Sequence, residues 1–141
     1  MVENSPFDER TLHIIAKSKM PVGILVDKNL EKLNQVFMPI FTPEDAFLID
    51  YAQKLIINND SHITFIDPND AIWNNKEVYG KIDFIEMQTS NYISVQEDRI
   101  MKKDFLGQMD IMINSLESWK KLVNSQSTWL SNITSVLIIK P

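Results

Sequence analysis

The chain offers two histidines, no cysteine and scattered carboxylates as raw material for chemistry. A metal site needs converging imidazole, thiolate or carboxylate ligands. His13 and His62 fall in different segments, and neither has a second His or a Cys at ligand spacing; both read as structural or surface residues. Nucleophilic catalysis needs a hydroxyl or thiol with a base in reach. No Gly-x-Ser-x-Gly elbow is present, and Ser115 and Ser118 read as caps of a late helix. The acidic pairs Glu44-Asp45 and Glu97-Asp98 stand at helix starts, where a carboxylate complements the macrodipole. Phosphate binding on a sheet of this class uses glycine-rich turns that let backbone N–H groups reach the anion. With glycine only at positions 23, 80 and 107, neither the dinucleotide fingerprint nor the P-loop can be written. Trp73, Trp119 and Trp129 could stack on a base, but aromatics at helical spacing more often belong to a core. No catalytic constellation is expected.

The elements that would position such residues read as α/β. Val22–Val26 and Gln35–Ile40 are continuous apolar runs, a pattern that predicts strands covered on both faces, as in a parallel sheet between helices. Glu9 to Lys17 reads as a short helix. Thr42, Pro43 and Asp45 form a helix start of the capping-box type, followed by Phe47, Leu48, Tyr51, Leu55 and Ile56 at helical spacing. Asn58-Asn59-Asp60 ends that helix, His62–Ile66 is the next strand, and Asp67-Pro68-Asn69 is a turn. A strand, capped helix and strand at this spacing make a right-handed βαβ unit. Beyond it, residues 76–88 read as a helix in preference to a strand at 82–85, and Tyr92–Val95 as a third inner strand. Glu97–Leu106 reads as a short helix, and Gly107 as the break before a buried strand at Met109–Ile113. Trp119, Leu122, Val123, Trp129 and Leu130 suggest a last helix, and Ser135–Ile139 closes the chain as a strand. The approach and apolar run at Met20–Val26 faintly echo those at Ile133–Ile139, a similarity that composition alone can produce.

The totals bound the possible partners. At 141 residues one domain is expected, with room for a core that needs no disulfide or metal staple. Apolar residues at 44% and charged residues at 23% are ordinary for a folded domain. A net charge of −5, from 19 acidic and 14 basic residues, and only isolated Lys pairs at 102-103 and 120-121 argue against nucleic acid. No apolar run approaches the roughly 20 residues of a membrane span, so no direct membrane insertion by this segment is expected. Acidic residues ahead of a short apolar patch do not read as a signal peptide.

Pro21-Val-Gly-Ile-Leu-Val-Asp27 resembles the phrase that opens the second half of the cytoplasmic C-terminal region of monovalent cation/proton (Na+/H+) antiporters. Weaker matches follow at Val36–Leu48, Met109–Trp119 and Ser135–Ile139. That region is similar to tandem universal-stress-protein modules, so the resemblance implies a Rossmann-like, adenine-nucleotide-hydrolase-like fold. Its sheet has about five parallel strands with helices on both faces. On that mapping residues 1–28 end a preceding lobe and residues 35–141 form the main lobe. Strand 22–27 should then lie antiparallel beside strand 135–139, giving the order third-second-first-fourth-fifth-extra. An uncovered apolar edge there would invite association, so a homodimer through it is a candidate assembly. The resemblance further implies a regulatory or assembly domain, an ion-transport role without catalysis, and a place on the cytoplasmic face of the inner membrane. Its partner would be the membrane domain of the same antiporter. The alternative is a free-standing stress-type protein that binds a nucleotide or a protein. The family members that bind ATP carry an aspartate after the first strand and a glycine-rich run after the fourth. Here Thr42-Pro43 and Asn114-Ser115-Leu116-Glu117-Ser118 stand in those places, so no cofactor is expected. Any ligand should sit at the sheet's topological switch point, near Thr42, Asp67, Asn114 and Ser115. The segment 70–90 is the expected interaction surface, because surface loops commonly carry such contacts.

Overall fold

The computed structural model describes residues 21–89, 91–96, 102–125, 130 and 133–141. The helix expected at 9–17, His13, the pair Glu97-Asp98 and Trp129 lie outside the described residues.

Among the described residues six strands form one sheet: β1 Val22–Val26, β2 Gln35–Pro39, β3 His62–Ile66, β4 Ile93–Gln96, β5 Ile111–Ser115 and β6 Ser135–Lys140. Their order is β1-β6-β5-β2-β3-β4, which is the expected one. All neighbours pair in parallel except β1, which runs antiparallel to β6 from Val22↔Lys140 to Val26↔Val136. The main helices are α1 Leu48–Asn59, α2 Lys76–Gln88, α3 Lys103–Gln108 and α4 Leu116–Asn124.

Alternation along the strands sorts the core into two layers. Val36, Met38, Ile63, Phe65, Ile111 and Ile113 pack with Leu48, Ile49, Ala52 and Ile56 of α1 and with Val78, Ile82 and Ile85 of α2. Phe37, Ile66, Met112, Val136 and Ile138 pack on the opposite face with Leu106 of α3 and with Trp119 and Leu122 of α4. β2 and β5 are thus covered on both sides, as their unbroken apolar runs predict.

Four local readings need correction. β1 is apolar but not covered on both faces: Leu25 is 50% and Val26 37% exposed, because an edge strand lacks a neighbour on one side. The helix after β2 opens with a 3-10 turn, Pro43–Phe47, before continuing as α1, a common way for helix starts to tighten. Gly107 does not break the chain; α3 runs through it to Gln108 and β5 begins at Ile111. No glycine among the described residues takes positive φ, and the strand entry is set by Asp110 instead. Its carboxylate accepts from the N–H groups of Asn34 (2.9 Å) and Gln35 (2.8 Å). β4 begins one residue later than expected, at Ile93, while Tyr92 still gives its carbonyl to Ile63 N–H at 2.8 Å.

Candidate functional site

From β2 the chain steps outward through β3 to β4, then returns to the other side of β2 through β5 and β6. The switch point therefore lies at the carboxyl ends of β2 and β5, where open α/β sheets form a crevice. A cavity of about 460 Å³ occupies it. Thr42 and Asp45 of the turn after β2, Ser115 at the end of β5, Ser118 and Lys121 of α4, and Lys140 of β6 all contribute to its walls.

Asp45 organises this crevice. It is 2% exposed, and its carboxylate accepts hydrogen bonds from both sides of the seam between β2 and β5. Phe41 N–H donates at 3.0 Å and Thr42 N–H at 3.4 Å, which is the reciprocal half of the expected capping box. From the other side Ser115 Oγ donates to Oδ1, and Ser118 Oγ lies 2.7 Å from Oδ2 and 3.0 Å from Oδ1. Ser115 also caps α4 by accepting from Ser118 N–H at 3.2 Å, as its position predicts. A single buried carboxylate thus ties the start of one helix to the start of another.

The four expected site residues separate into two pairs. Thr42 and Ser115 line the crevice; Asp67 and Asn114 do not. Asp67 is fully buried and turned into its own loop, where both carboxylate oxygens accept from Ile72 N–H at 3.2 Å and its N–H donates to Gln96 O at 2.7 Å. Asn114 precedes Ser115 on the strand and so points to the opposite face. Its Oδ1 accepts from Ser115 N–H at 2.9 Å, while Nδ2 is buried without a partner. Asp45 and Ser118 are the residues that sequence reasoning did not place in the site. Their spacing announces helix caps, and the contact that joins them spans 73 residues.

The remaining charges at the rim are mixed. Glu44 is fully exposed and its carboxyl is held below the usual 4.5, chiefly by the Thr42 hydroxyl, then by its own backbone N–H and by Lys121. Glu117 lines the crevice and pairs with Lys120 at 3.7 Å on the surface. Chemically the cluster is an acid with two hydroxyl donors. Serine needs a base that can accept and return a proton, and the one histidine among the described residues is elsewhere: His62 Nε2 is engaged with Ser94 Oγ at 3.0 Å, at the side of the sheet where β3 meets β4. Among the described residues no group of three or more His, Cys, Asp or Glu side chains is placed to hold a metal ion, and no helix is long and apolar enough to cross a membrane.

No family model matches the chain, and no curated protein matches it.

Proposed function

We propose that this chain is a cytoplasmic regulatory or assembly domain of a monovalent cation/proton antiporter, without catalysis of its own. In this reading it works at the cytoplasmic face of the inner membrane as part of an integral membrane protein. Its effect is to bias the linked membrane domain. The observation that carries the reading is the antiparallel seat of Val22–Val26 on β6. The resemblance of Pro21–Asp27 to the antiporter tails asks for that arrangement, because it treats the strand as the end of a preceding, related lobe. The clasp of Asp45 with Ser115 and Ser118 adds support: the residues at the switch point are engaged with one another and hold the fold.

A domain of this kind must interact differently with two states of the transporter, since equal affinity for both shifts nothing. The test is to express the full-length protein in cells lacking their own antiporters, with and without residues 22–141. At equal membrane abundance, the deletion should move the dependence of exchange on pH and cation concentration. Unchanged exchange would reject regulation and leave a passive or folding role.

A second reading, a free-standing stress-type protein that binds a nucleotide or a protein partner, draws on the crevice itself. Its size of about 460 Å³ and the presence of Lys121 and Lys140 on its walls suit a small anionic ligand. The full length of the gene separates the two readings, because a long N-terminal block of membrane helices belongs only to the first.

A further inference from the structure

The outer face of α2 carries apolar surface that the fold does not use. Phe84 is 58% and Met87 79% exposed, and Trp73, in the turn leading into the helix, is 49% exposed with its ring 5.1 Å from that of Tyr79. Clustered exposed apolar side chains of this size mark contact surfaces more often than chance scatter does. In the middle of the same face stands Gly80, inside the helix, where glycine lowers helix propensity. Among the described residues nothing requires it: a Cβ built there meets no atom within 4 Å. A glycine with no neighbour of its own makes sense where another backbone approaches.

The charges around Gly80 say which backbone. At about 100° per residue, Lys76 and Asp83 fall on one flank of the Gly80 line, and Glu77 and Lys81 on the other. A two-fold contact is self-complementary, so residue i meets j and j meets i. If two copies of α2 cross antiparallel at Gly80, each flank faces its own counterpart in reverse order. Lys76 then meets Asp83 twice on one flank, and on the other each Lys81 lies between the Glu77 and the Lys81 of the other copy. Trp73, in the turn before the helix, stands at the end of the contact where Met87 of the other copy falls. One register therefore juxtaposes the two glycines, covers the apolar ends and sets two Lys76–Asp83 pairs on one flank, while on the other each Glu77 offsets the approach of the two Lys81 side chains. Lys81 already lies 3.8 Å from Asp50 of α1, so its partner across the contact would join an existing surface pair.

We propose that α2 is a homodimer interface, in which two copies of this chain pack antiparallel across Gly80. The inference does not rest on the antiporter reading, and a free-standing protein would associate in the same way.

Sedimentation velocity on the 141-residue chain, over about a hundredfold range of concentration, tests it. The parent chain should show a monomer–dimer equilibrium. Gly80→Gln favours the helix and meets open space within its own chain, so the variant should fold at least as stably by circular dichroism. Its dimer dissociation constant should nevertheless rise by about tenfold or more. Lys76→Asp and Asp83→Lys should each weaken the dimer, and the double variant K76D/D83K should recover it. A parent chain that stays monomeric throughout overturns the proposal. So does a dimer indifferent to Gly80→Gln but lost on Leu25→Lys, which would place the contact at the β1 edge. Failure of the double variant to recover association rules out the two-fold register.

Discussion

Asp45 gathers donors from two parts of the chain that meet only on folding: the N–H groups of Phe41 and Thr42, and the hydroxyls of Ser115 and Ser118. A buried carboxylate is tolerable only with such partners, and removing it leaves several donors stranded. Asp45→Ala should therefore lower stability by about 3 kcal/mol, and Ser118→Ala by about 1.5 kcal/mol. Both should appear as shifts of the urea midpoint with little change in slope. The two effects should be strongly non-additive, since they share one interaction. If Asp45→Ala unfolds within about 0.5 kcal/mol of the parent, the clasp is incidental. Half of this site could be read in advance. Thr42 and Ser115 are local, announced by their cap positions, whereas the bond from Ser118 to Asp45 depends on sheet order. Asp67 and Asn114 show the converse. Both lie near strand ends, as a ligand site requires, yet strand alternation and loop geometry turn them inward. Single-residue facing is decided by a shift of one position, and end-of-strand patterns do not fix it.

Among the elements, those with strong boundary chemistry are the ones legible in the sequence. α2 runs over the expected 76–88, with Asn75 accepting from Glu77 N–H and Val78 N–H at its start. α1 ends where expected, at Asp60, whose φ of 54° gives the left-handed cap that Asp tolerates. The entry to β5 was not legible, because Gly107 reads as a break but lies within α3, while the residue that sets the strand, Asp110, bonds across to Asn34 and Gln35. β1 is the element with the clearest consequence for stability. It covers β6 through five register pairs, and Lys28 N–H extends the contact to Ser135 Oγ at 2.8 Å. A chain beginning at Asn29 would leave the apolar edge of β6 unpaired, a template for intermolecular strand addition. That truncation should move most of the expressed protein into the insoluble fraction, and light scattering of the remainder should rise with concentration. A truncated chain that stays soluble and monomeric would show that β6 does not need its cover.

At the scale of the whole molecule, the strand order was legible because the resemblance to paired lobes implied it, antiparallel edge included, while the handedness of crossovers bounded only the first βαβ unit. The use of the crevice was not legible, since function resides in sites and many functions share this architecture. The crevice nevertheless supports a prediction about nucleotides. Asp45 occupies its floor, Glu44 and Glu117 stand at its rim, and like charge opposes a triphosphate despite the two lysines. Calorimetry with ATP and magnesium should give no micromolar binding. Saturable heat in that range, abolished by Lys121→Ala, would favour the stress-type reading. The placement of β1 also has a consequence in time. Among the described residues its sheet neighbour is β6, and even the nearest register pair, Val26 with Val136, is separated by 110 residues. During synthesis, at ordinary rates of elongation, on the order of ten seconds pass between the emergence of β1 and that of its partner. The first strand of the sheet to be made is thus the last that can dock. Until it docks, four apolar side chains remain available to chaperones or to another nascent chain.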